Sequence, residues 1–86
     1  MKEARNIITT TYELTNYKGF MVDIVRKGKD AEAWLYNERI GIKELMFGFE
    51  IGTETTPNYD SFVETVIYNI MYENYIENYK NEYMEG

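Results

Sequence analysis

The chain has no cysteine and no histidine. Their absence excludes disulfides, thiolate metal centres, a nucleophilic cysteine and imidazole acid–base chemistry together. Ser61 and the threonines therefore have no imidazole to activate them, and no lysine-activated nucleophile motif is present. Glycines 19, 28, 41, 48 and 52 stand singly, so no loop of the kind that cradles phosphate is formed. No apolar run approaches the roughly 20 residues that span a bilayer, and the opening stretch MKEARNIITTTYELT is too short in apolar residues for a secretory signal. With no cysteine to oxidise, the expectation is a cytoplasmic protein without membrane contact. Basic charge is scarce in one half: from Glu44 onward only Lys80 opposes nine carboxylates, and the net charge is −6 with a pI near 4.6. A direct contact with nucleic acid phosphates is disfavoured, and a charge-complementary partner would be basic.

What is present suits one small domain, 1–86, that buries about 60–65% of its unfolded surface. Ile7–Leu14 alternates Ile8, Thr10, Tyr12 and Leu14, as a first strand over about 7–14 would. After the turn residues Thr15–Gly19, a second strand over about 19–26 sets Phe20, Val22 and Ile24 against Met21, Asp23 and Val25. A turn at Lys27–Asp30 pairs it with a third strand, about 31–38, placing Arg26 opposite Ala31, Ile24 opposite Ala33 and Val22 opposite Leu35. A further turn using Gly41 in the left-handed conformation leads to a fourth strand, about 42–51. It sets Leu45 opposite Leu35, Phe47 opposite Ala33 and Phe49 opposite Ala31, all facing inward. Gly48 reads as room for Trp34 to cross the sheet, or as a bulge.

From Asn58 no Gly or Pro interrupts the chain until Gly86, which predicts one long helix over about 58–83, capped near Asn58 after Pro57. Its core face holds Tyr59, Phe62, Val63, Val66, Ile67, Ile70 and Met71 and ends near Met71, where Glu73, Asn74, Glu77 and Asn78 follow. A row of tyrosines, Tyr68, Tyr72, Tyr75, Tyr79 and Tyr83, points to the opposite side of that helix. The expected architecture is α+β: an antiparallel meander of three or four strands with one long C-terminal helix packed on one face.

One helix covers one face. The other carries Met21, Val25, Trp34, Tyr36, Ile42 and Met46 among Asp23, Glu32, Lys43 and Glu44. An apolar patch of this kind marks a partner surface, and so does a tyrosine stripe, because tyrosine gives rigid area with a hydroxyl for the wet edge. The candidate interaction residues are Met21, Trp34, Tyr36, Met46, Tyr68, Tyr72, Tyr75, Tyr79 and Tyr83. No catalytic, cofactor-binding or metal-ligating residue is expected. The pairs Asp60/Glu64 and Glu73/Glu77 lack the convergent ligands a metal needs, and read as solvated charge.

The stretch AWLYNERIGIKELMFGFE followed by a capped FVETVIYNI helix, about residues 31–70, resembles small uncharacterised acidic proteins of low-GC Gram-positive bacteria and their mobile elements. The resemblance implies no activity. The sequence thus predicts a small acidic, non-enzymatic protein-interaction module that needs no cofactor and associates with itself, as a homodimer, or with a basic protein. The alternative is an acidic mimic of nucleic acid that occupies a basic groove of a host defence protein.

Overall fold

The structure, a computed structural model, describes residues 7–28, 30–50 and 58–84, with Phe49, Glu50 and residues 58–60 as backbone only. The expectations for Ile51, for the connection 52–57, for a cap at Pro57–Asn58 and for the side chains of Phe49 and Tyr59 lie outside what is described. Four strands, β1 (Ile7–Glu13), β2 (Phe20–Lys27), β3 (Asp30–Asn37) and β4 (Glu44–Glu50), form one antiparallel sheet in sequence order. Two short helices follow, α1 (Asn58–Tyr72) and α2 (Tyr75–Tyr79), and a π-helical turn at Lys80–Met84. The architecture is α+β.

The local chemistry of the turns explains the meander. Leu14 closes the first connection by donating its N–H to the Phe20 carbonyl at 2.9 Å, and the Gly19 N–H donates to the Glu13 carboxylate at 3.1 Å. Lys27 pairs with Asp30 across a two-residue turn in which Gly28 takes φ +63°, a left-handed conformation that costs a glycine nothing. The β2–β3 register is the expected one: Arg26 opposite Ala31, Ile24 opposite Ala33, Val22 opposite Leu35. The core lies on one side of this sheet, where Leu14, Phe20, Val22, Ile24, Ala33 and Leu35 meet Val63, Val66, Ile70, Ile76 and Tyr79.

Two expectations are corrected. The first is the β3–β4 register. Ala31 and Ala33 do oppose Phe49 and Phe47, but a bulge between Ala33 and Trp34 then sets Leu45 opposite Trp34 and Glu44 opposite Leu35. Met46 is the extra residue; it is half-buried and packs against the core, whereas Leu45 turns to the opposite face and is 52% exposed. Gly48 is not the bulge but the residue across from Glu32.

The second correction is the single long helix. The chain breaks at Glu73–Asn74, with the Glu73 N–H still donating to the Asn69 carbonyl and the Asn78 N–H starting the next helix on Asn74. The cause is a phase mismatch in the sequence. Ile70 and Ile76 are six residues, about 600°, apart on a continuous helix, which leaves them roughly 120° out of line. The apolar side of α1 ends at Met71, and the next large apolar groups sit on what would be its wet side. Breaking the helix rotates the chain until Ile76 (4% exposed) and Tyr79 (2%) reach the sheet. Burial of those two side chains outweighs the backbone hydrogen bonds lost at one break.

Candidate functional site

The helices cover one face of the sheet, and the thinnest dimension of the molecule is 17 Å, a sheet plus one helical layer. Strand alternation assigns the other face. Its central row is Thr11, Asp23, Trp34 and Leu45, flanked by Thr9, Val25, Glu32 and Gly48 on one side and by Glu13, Met21 and Tyr36 on the other. Met21, Val25, Trp34 and Tyr36 are half-buried.

A polar cluster holds the middle of this face. Asp23 is 3% exposed, and its Oδ1 accepts hydrogen bonds from the Thr11 hydroxyl at 2.7 Å and the Tyr36 hydroxyl at 3.1 Å. Its Oδ2 accepts from Lys43 Nζ at 2.6 Å, and that ammonium also lies 5.0 Å from the centre of the Tyr36 ring. Burial pushes the Asp23 carboxyl upward, but the hydrogen bonds from Lys43, Thr11 and Tyr36 together outweigh it and hold the group below the ordinary carboxylate pKa. The hydrogen bond to Asp23 pushes the Lys43 pKa up, and burial followed by the same carboxylate does so for Tyr36. All three are therefore fixed in their neutral-pH states. Beside them the Trp34 indole N–H donates to Glu32 at 3.0 Å, and Glu32 meets Lys27 at 3.5 Å.

The sequence places Asp23, Tyr36 and Lys43 on this face but does not show the hydrogen bonds that join them. The available signal was a lone carboxylate between Val22 and Ile24 in the most apolar strand, because a charge there requires partners.

The structure divides the proposed tyrosine stripe. Tyr79 is core: its ring meets Phe20 edge-on at 5.6 Å and its hydroxyl donates to the Ile42 carbonyl at 2.6 Å. Tyr75 is half-buried edge-on against Phe47 at 5.7 Å, and the Tyr83 hydroxyl donates to the Glu44 carboxylate, which raises its pKa to about 12. These three turn inward, the reverse of their expected facing. Tyr68 and Tyr72 stay outside, 61% and 70% exposed, with their rings 4.5 Å apart. Of the sheet-face candidates, Met21, Trp34 and Tyr36 alternate onto the open face with Leu45, whereas Met46 is the unpaired bulge residue; both Met46 and Tyr36 pack against the core cluster.

Among the described residues no group of three or more His, Cys, Asp or Glu is placed to hold a metal ion, and no helix is long and apolar enough to cross a membrane. No family model, curated protein or solved structure matches the chain.

Proposed function

We propose that the chain is a non-enzymatic protein-interaction module whose working surface is the open face of the sheet, with a second copy of the chain as its simplest partner. The observation that carries this reading is the bulge, which turns Leu45 outward beside Trp34 where unbroken pairing would have kept it in the core. Bulges commonly re-aim a side chain at a working surface. Asp23 supports the same reading. A carboxylate in the middle of an interface ordinarily opposes contact because it must lose water, but this one is already buried and holds three donors, so covering it costs little more. The fixed protonation of Asp23, Lys43 and Tyr36 argues against proton transfer near neutral pH, where a general acid or base needs a matched pKa.

Trp34, the single tryptophan, reports on this directly. Its emission should move to longer wavelength as the protein is diluted and the faces separate, with a midpoint that does not rise with salt, because an apolar contact is little screened and salt only weakens the repulsion between two copies of net charge −6. Emission independent of concentration would contradict pairing through this face.

A second reading keeps the acidic mimic. Glu64, Glu73, Glu77 and Glu82 are exposed along the helical side, and Tyr68 and Tyr72, their rings 4.5 Å apart and tilted by 39°, lie among them as base-like groups between phosphate-like carboxylates. Binding of that kind to a basic protein would weaken steeply with salt, which separates the two readings.

A further inference from the structure

The two edges of the sheet differ in how they meet a neighbouring strand. β4 is bulged and bounded by Glu44 and Glu50, so two copies pairing along it about Phe47 would set Glu44 against Glu50 at both ends. Like charges directly opposite destabilise a strand pair, and bulges and edge charges are the usual protection against edge-to-edge contact. β1 has neither. Its register with β2 runs unbroken from Ile7 to Glu13, and Ile7–Tyr12 is six residues without charge or proline. Ile7 and Ile8 are 54% and 58% exposed. In a molecule of net charge −6, where copies repel over most of the surface, this is a neutral edge of strand-forming residues.

We propose that β1 is a self-pairing edge: a second copy of the chain adds its own β1 antiparallel to the first, across a two-fold axis at Thr10, making one continuous eight-stranded sheet. Thr10 then faces Thr10 of the second copy, Thr9 faces Thr11, Ile8 faces Tyr12 and Ile7 faces Glu13. Each residue keeps its face of the sheet, and the hydroxyl pair and the aromatic–isoleucine pair are favourable cross-strand neighbours. Each hydrogen-bonded pair exchanges two backbone bonds, so a seven-residue overlap supplies about six or eight of them. The two Glu13 carboxylates lie six residues, about 20 Å, apart, beyond the Debye length at physiological salt. Moving the axis to Thr11 brings them to about 14 Å and leaves Ile7 and Ile8 without strand partners.

This contact is independent of the open face. Its axis is perpendicular to the sheet, whereas an axis that pairs two open faces runs parallel to it. Used together with the open-face axis running across the strands to meet the edge axis, the two interfaces would build a closed D2 tetramer, two eight-stranded sheets face to face.

The lack of cysteine makes the register testable in the full chain. Across the axis the two Thr10 Cα atoms are about 4.5–5.5 Å apart in either kind of antiparallel pair, within disulfide reach. Diamide, which takes up the two thiol hydrogens, should therefore link the Thr10→Cys variant into a dimer and leave the Ile7→Cys variant unlinked. Ile7→Glu, placed opposite Glu13 at two symmetric positions, should weaken association about fivefold or more, while Ile7→Lys leaves it equal or tighter. Equal weakening by both substitutions, or no link through Thr10→Cys in a protein that sediments as an oligomer, would overturn edge pairing. Adding Trp34→Lys to Thr10→Cys should leave the link in place; its loss would show that the edge contact depends on the open face and would overturn the proposal.

Discussion

Asp23 shows how one side chain fixes the centre of the open face. It is the one carboxylate of β2, set between Val22 and Ile24, and it is kept ionised by partners from the first and third strands and from Lys43 in the loop before the fourth. Because its folded pKa lies below the ordinary value of 3.8, the folded state binds fewer protons there than the unfolded chain does. Its contribution to stability is therefore present above that pH and is lost as pH falls through the folded pKa. Acid denaturation followed by circular dichroism should show a flattened acid limb in Asp23→Asn. At neutral pH that variant should be less stable by roughly 1–3 kcal/mol, the cost of weakening hydrogen bonds to a buried charge. An acid limb unchanged from the wild type would mean that the network is not what titrates. Tyr83 acts at the other end of the scale: with its pKa raised to about 12, whatever it contributes is present below the ordinary tyrosine value and is lost as pH rises through 12.

The elements were legible where one signal decided them. Four strands, the register of the second and third, and the apolar side of the first helix all follow from alternation, turn chemistry and helical period. The bulge did not, because straight pairing of Leu45 with Leu35 is equally good by pattern; the outcome is set by Tyr83 and Tyr79, which hold Glu44 and the Ile42 carbonyl from the helical side. The helix break was half legible. The loss of apolar residues after Met71 is plain in the sequence, but continuity inferred from the lack of Gly and Pro alone turns the whole row of tyrosines to the side away from the sheet, as a contact stripe. Tyr72 and Tyr79, seven residues apart, would share one face of an unbroken helix. With the break they do not, so Tyr72→Ala should change stability by about 0.5 kcal/mol or less, and Tyr79→Ala should cost roughly 3–5 kcal/mol. Similar effects of the two substitutions in chemical denaturation would restore the continuous helix.

The molecule as a whole is a one-sided sandwich: a sheet with its core on one face and, on the other, a tryptophan, a tyrosine, a methionine and an outward leucine around a satisfied carboxylate. At 10.3 kDa it has little surface to spare for an apolar face without a use. Pairing two such faces is isologous and closes on itself, and it needs no residue the chain lacks. Edge pairing through β1 would add a second two-fold contact without disturbing the first. The most direct measurement is the mass by sedimentation equilibrium at micromolar concentration for the wild type and for Trp34→Lys, with circular dichroism to confirm that the fold is retained. The open-face reading predicts that the wild type has at least twice the 10.3 kDa mass and that Trp34→Lys halves it, from four copies to two or from two to one. A folded Trp34→Lys variant with the same mass as the wild type would contradict it.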